Sequence, residues 1–113
     1  DGGFVPLRFI RRELAIGAIQ FAEGMDADTF VADRRTHQAV AMNIFMIGEL
    51  AARTRTKQPD LAALHPDLDW ATLSSLWPRI FSAGFALDVQ ASWRVVVDEL
   101  PSLVDRIDRA LPG

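Results

Sequence analysis

Apolar residues recur along this chain at three- and four-residue steps and nowhere in strict alternation. Leu7, Ile10, Leu14, Ala18 and Phe21 share one such stripe, the spacing of a helix face turned towards a core. Pro6 suits the first turn, where the N–H it lacks would have no helical partner anyway. Arg8, Arg11, Arg12 and Glu13 fall mostly off the stripe, and Gly24 closes it. Glycine reaches the left-handed conformation of a helix end most cheaply, so the first predicted helix runs from Pro6 to Glu23. "MDADTFVAD" then reads as a turn, with one short helical turn around Thr29 to Val31.

Asp33 is placed to cap a second helix, whose central stripe is Val40, Ile44, Ile47 and Ala51. Met42, Phe45, Met46 and Leu50 widen that stripe over much of the circumference. A helix so broadly apolar is central to its bundle or lies at a subunit interface. It ends in the polar run "RTRTKQP". "DLAALHPDLDW" follows as a single helical turn stopped by His65-Pro66, and Asp69 is a natural N-cap for "WATLSSLW". Pro78 predicts an interruption or restart, since proline removes a hydrogen bond and clashes with the preceding turn; Ser75 is placed to cap the restarted piece. Asp88 caps the last helix, in which Trp93, Val96, Val97, Leu100, Leu103, Val104, Ile107 and Leu111 keep the helical period. Pro101 inside that run predicts a kink or local break. The expectation is all-α: an antiparallel four-helix bundle with short extra helical turns, interrupted near Pro78 and Pro101.

Length and composition narrow the function without naming it. At 113 residues the chain has room for one core, hence a single domain over 1–113, with Asp1 to Gly3 reading as a remnant or a truncated end. A net charge of -3 and a pI near 5.2 give no overall basic field to draw in nucleic acid, though a local arginine cluster would suffice. Cysteine is absent, which excludes disulfides, thiolate metal sites and a Cys nucleophile. No apolar run approaches a membrane span, and "DGGFVPLRF" lacks the parts of a signal peptide. A cytoplasmic protein is the default expectation.

Four stretches, in order and at consistent spacing, carry a resemblance: "FVADRRTHQAV" (Phe30 to Val40), "NIFMIGELA" (Asn43 to Ala51), "HPDLDW" (His65 to Trp70) and "VVDELPSLVDRI" (Val96 to Ile107). Together they resemble the HepT-like family of the HEPN group, the toxin half of toxin–antitoxin pairs whose partner is a minimal nucleotidyltransferase (MNT-type) antitoxin. The resemblance implies a four-helix bundle that forms a homodimer, with a metal-independent ribonuclease site near the dimer cleft and no cofactor. In that family the site is an arginine, four residues, a histidine, one residue and a tyrosine, placed after the tryptophan segment. The arginine holds the scissile phosphate, the histidine moves a proton as the 2′-hydroxyl attacks, and the tyrosine takes the AMP groups by which the partner silences the toxin.

Counted from the Gly84-Phe85 pair, those positions fall on Pro78, Ala83 and Phe85. Pro78 offers no charge-assisted bond to phosphate, Ala83 has nothing to titrate and Phe85 has no hydroxyl to modify. General acid–base catalysis needs a titrating group within hydrogen-bond reach of the proton. From Leu76 to Val89 the ionisable residues are Arg79 and Asp88. Arg79 is one position late, about 100° round a helix; it would steady a phosphate but is a poor proton donor at neutral pH. The expectation is a family member lacking nuclease activity that binds a partner, a nucleotide or RNA. The alternatives are an active metal-independent endoribonuclease, with Arg79 and a substitute acid or base from Asp88, Glu49 or His37, and a purely structural helical dimer.

Other candidates weigh less. Arg34 and Arg35 open the second helix within reach of phosphates but fit a solvated helix start or pairs with Asp33 or Asp28 better. Glu49, in "MIGEL", fits a solvated edge or structural ion pair better than a cleft residue. Arg53, Arg55 and Lys57 suit a helix C-terminus without any ligand, and no aromatics interleave them. His37 and His65 have no second ligand at metal spacing. Trp70, Trp77 and Trp93 fit core packing. Gly17 and Gly48 lie within helices, where a close helix–helix approach would justify them.

Overall fold

In a computed structural model the chain is described over residues 7–66, 68–81 and 86–110, with side chains from Arg12 to Arg109. Pro6, Ala83, Phe85 and Leu111, and the side chains of Leu7 and Ile10, lie outside the described residues. The chain is an all-α helical bundle. Its elements are α1 (Leu7–Phe21), α2 (Ala27–Ala32), α3 (Arg34–Lys57), α4 (Pro59–Leu64), α5 (Trp70–Ser74), α6 (Leu76–Ile80), α7 (Val89–Arg94), a π-helical turn (Val95–Glu99) and α8 (Leu100–Ala110). Among the described residues no strand forms; Phe81 and Leu87 make an isolated antiparallel bridge.

Short polar side chains set the boundaries. Gly24 follows α1 at φ +80°, the conformation expected of it. The Asp33 carboxylate accepts the Thr36 N–H at 3.1 Å to start α3, and Asp69 accepts from the Thr72 N–H at 3.2 Å and its hydroxyl at 2.7 Å to start α5. Asp88 accepts the Ala91 N–H at 2.9 Å to start α7. Asp26 does the same for α2, accepting from Thr29, which makes a full six-residue helix of what the sequence suggests as one turn.

The two prolines act differently from each other. The break ahead of α6 falls at Ser75, which leaves Pro78 in the first turn of α6, where a missing N–H goes unnoticed. Ser75 does not cap α6 with its side chain. Its hydroxyl instead donates back to the Thr72 carbonyl at 2.8 Å, the back-bonding that serine offers at the end of a helix. Pro101 is accompanied by a local break of another kind: a π turn (Val95–Glu99) separates α7 from α8, the helix widening just before the proline. The Leu100 N–H reaches back five residues to the Val95 carbonyl, so one π turn precedes the residue that has no N–H to give.

Helix α3 is the centre. It packs along α1 on one side and against α5 and α6 on another, while α1 also packs on α8. Val40, Ile44, Ile47 and Ala51 are fully buried, as their stripe predicts, together with Phe30, Leu68, Ile80, Leu100 and Ile107. Both mid-helix glycines sit at close approaches. A Cβ on Gly17 would meet the Asn43 side chain at 3.0 Å, and one on Gly48 would meet Trp77 at 3.2 Å and the Leu73 carbonyl at 3.3 Å.

Candidate functional site

The side of α3 facing α6 does not close. Gln38, Ala41, Met42 and Phe45 from α3, Trp77 from α6, and Phe81 and Leu87 from the bridge line a groove of about 520 Å³. Residues 38, 41/42 and 45 are the i, i+3/i+4, i+7 positions of one helix face. Trp77 and Phe81 are likewise four apart. Trp77 packs edge-on against Phe45 with ring centroids 5.6 Å apart and lies 6.4 Å from Phe81. The Asp88 N–H donates to the Ile80 carbonyl at 2.6 Å, tying the start of α7 to the end of α6. Met42 remains 55 % exposed, so the groove is apolar with one amide, Gln38, among its lining residues.

Arg79 is not in it. Two residues on from Trp77, it stands about 200° round the helix and reaches Glu99 on the π turn. Both carboxylate oxygens are engaged: Nη1 donates to one at 3.1 Å and Nη2 to the other. Bidentate arginine–carboxylate pairing uses the same fork that would grip a phosphate. Glu99 is the residue that sequence reasoning misses. Twenty positions and a π turn separate it from Arg79, and no local spacing signals such a pair.

The remaining candidates are dispersed. Pro78 is exposed on α6. Asp88 accepts the Ala91 N–H through one carboxylate oxygen as a helix cap, which fixes where it sits. Arg34 and Arg35 are exposed at the start of α3, and Glu49 is half-buried one turn beyond Phe45. None of these three takes part in an ion pair among the described residues. Neither do Asp28 and Asp33 pair with Arg34 or Arg35; Asp33 serves Thr36, whose N–H holds its carboxyl below the usual carboxylate range. His37 packs on Phe30, with centroids 6.2 Å apart, and its Nδ1 lies 3.3 Å from the Phe30 carbonyl; the groove is lined by its neighbour Gln38 instead. Among the described residues no group of three or more His, Asp or Glu is placed to hold a metal ion, and no helix is long and apolar enough to cross a membrane.

The tryptophans divide. Trp70 is buried, and its indole N–H donates to the Ala62 and His65 carbonyls, holding the end of α4. Trp93 packs on Phe30 at 5.2 Å. Trp77 packs less completely and lines the groove.

Comparison with known proteins agrees with the residue pattern. The family model described as "Ribonuclease HepT-like" matches residues 13–110. Two relatives carry provisional names. One, from Thermococcus cleftensis and named a probable ribonuclease HepT, is 26 % identical over 90 residues, covering 80 % of this chain and 79 % of its own. The other, from Methanocaldococcus jannaschii and named as an RNase, is 23 % identical over 93 residues, covering 82 % and 74 %. No solved structure matches the chain.

Proposed function

The chain belongs to the HepT-like ribonuclease family, and we propose that it is a member without nuclease activity, acting as a single-domain cytoplasmic homodimer that binds. Its partner on this reading is a nucleotidyltransferase-type antitoxin, or an RNA or nucleotide taken up at the groove. The observation that carries the proposal is the placement of Arg79. The one guanidinium between Leu76 and Val89 is held by Glu99, off the aromatic groove, and the stretch holds no imidazole. Asp88, its other ionisable group, caps α7 through one of its carboxylate oxygens. Phosphate binding would need an arginine that is not already paired, and this stretch has none.

The test is RNA cleavage by the purified protein in EDTA, beside a variant carrying Pro78→Arg, Ala83→His and Phe85→Tyr. Silence from the unaltered protein with cleavage by the variant is the expected result. Cleavage by the unaltered protein that disappears in Arg79→Ala would overturn the proposal in favour of a rearranged site. If neither protein cleaves and none of the three ligand classes binds, the chain is a structural helical dimer.

A further inference from the structure

The Arg79–Glu99 pair is open to solvent. The Arg79 side chain is 41 % exposed and that of Glu99 35 %. Nη1 donates to Oε1 at 3.1 Å while Nη2 engages Oε2. Ion pairs this accessible gain little over two solvated charges, so a competing anion can exchange with the carboxylate. Once freed, the guanidinium presents two parallel donors, a fork that fits two oxygens on one carbon or on one phosphorus.

The turn that carries Glu99 brings a second cation to the same side. From Val95 to Glu99 the helix is π, and the Leu100 N–H reaches the Val95 carbonyl. Residues five apart therefore stand there as residues four apart stand in an α-helix. Arg94 precedes Glu99 by five, which puts it one turn away on the same side of the rod. In an unbroken α-helix the two would diverge by about 140°. Arg94 is exposed and takes part in no ion pair among the described residues. Glu99 thus stands between a guanidinium from α6 that it holds and one from α7 that it does not.

We infer that Arg79 and Arg94 form a binding site for a terminal phosphate monoester, and that Glu99 fills this site from within the chain until the phosphate displaces it. A carboxylate has one charge and two oxygens, and Arg79 takes both oxygens. A phosphate monoester carries nearly two charges at neutral pH and three acceptor oxygens, which leaves one oxygen and one charge for Arg94. A phosphodiester backbone is a poorer occupant. It offers no more charge per phosphate than the carboxylate, and it would continue past Asp98, exposed on the same turn, over a chain of net charge -3. The site lies apart from the groove residues and is independent of what the groove binds.

Glu99→Gln tests the mask, since it removes the charge and keeps the shape. Inorganic phosphate and adenosine 5′-monophosphate are the probes; adenosine and an RNA hexamer without terminal phosphates are the contrasts. Binding is read by calorimetry and by the arginine Nε–H signals in NMR, with circular dichroism confirming that each variant is folded. A site about nine-tenths masked shows about a tenth of its affinity, so Glu99→Gln should bind both phosphates tenfold or more tightly than the unaltered chain. Adenosine should not bind, and the hexamer should gain less than threefold. Added to Glu99→Gln, Arg79→Ala should abolish the gain and Arg94→Ala should weaken binding fivefold or more. In the unaltered chain, the Arg79 and Arg94 signals should both move as phosphate is added, a reading that needs no variant. An affinity unchanged by Glu99→Gln overturns the inference. So does a gain that survives either arginine substitution, or one that the hexamer matches.

Discussion

Towards α1, helix α3 presents Asn43, whose amide donates to the Leu14 carbonyl at 3.0 Å across a crossing held close by Gly17. Towards α5 and α6 it presents Gly48, packed under Trp77 and the Leu73 carbonyl, and six residues earlier it leaves Met42 open. Both faces use a glycine to bring a neighbour near. They differ in what the neighbour is. Helix α1 is fifteen residues long and lies along α3. On the other side the cover consists of two five-residue helices broken at Ser75, too short to span the face. A long helix needs a continuous partner to bury a continuous stripe, so the fragmented partner leaves a groove.

The largest effect should separate a buried residue of α3 from one on its open groove side. Ile44 is fully buried, and Ile44→Ala should lower stability by about 2–5 kcal/mol through lost transfer energy and a residual cavity. Met42→Ala, on the groove side, should change it by no more than about 0.5 kcal/mol in the monomer, as surface substitutions do. Urea unfolding at a concentration too low for dimers would read both. Comparable losses would mean that the groove is covered within one chain and that the two faces are not different in kind.

A smaller effect separates the two glycines. Gly48→Ala drives a methyl against a ring atom of Trp77 at 3.2 Å and a backbone carbonyl at 3.3 Å; the carbonyl belongs to α5 and cannot step aside. Overpacking of this sort costs about 1–3 kcal/mol. At Gly17 the obstacle is the tip of the Asn43 side chain, which can give by a few tenths of an ångström. Alanine also returns up to about 1 kcal/mol of helix propensity, so Gly17→Ala should be nearly neutral. Thermal unfolding of the two variants side by side decides it, and equal losses would remove the distinction.

Much of this architecture is legible before any coordinates. Asp33, Asp69 and Asp88 cap helices where an acidic residue precedes an apolar period, because a cap is a local hydrogen bond whose partners lie three residues apart. Gly24 marks the end of α1 by its left-handed backbone, and the polar run "RTRTKQP" contains the end of α3 at Lys57. Ser75 fails as a cap because its hydroxyl has a competing acceptor one turn back, a choice that spacing does not resolve. Pro101 is legible as a disturbance but not as a π turn. The site is harder to read than the fold, because its decisive contact, Arg79 with Glu99, depends on where that turn aims a carboxylate. The exposure of Met42 is likewise hidden, since it follows from the shortness of α5 and α6 and not from anything in the α3 sequence.

The finest distinction between the two faces lies in their response to acid. The Asp33 carboxyl is held below its ordinary range by the Thr36 N–H and hydroxyl, and the Asp69 carboxyl by the hydroxyl and N–H of Thr72. An unfolded aspartate titrates near 3.9, so as pH falls the unfolded chain takes up protons first. The stabilisation is present above about pH 4 and is lost as pH falls through the depressed folded values. Asp33 starts α3 and so supports both faces, whereas Asp69 starts α5, which contributes cover to the groove side alone. Asparagine keeps an acceptor oxygen at the cap and cannot titrate. Asp33→Asn and Asp69→Asn should each flatten the fall in urea midpoint between pH 6 and pH 3. Asp69→Asn should steady the fluorescence of Trp70 and Trp77, measured with Trp93 replaced by phenylalanine, more than Asp33→Asn does over that range. An acid response of these tryptophans that Asp69→Asn leaves unchanged would place the labile element of the groove elsewhere, in α6 or the Phe81–Leu87 bridge.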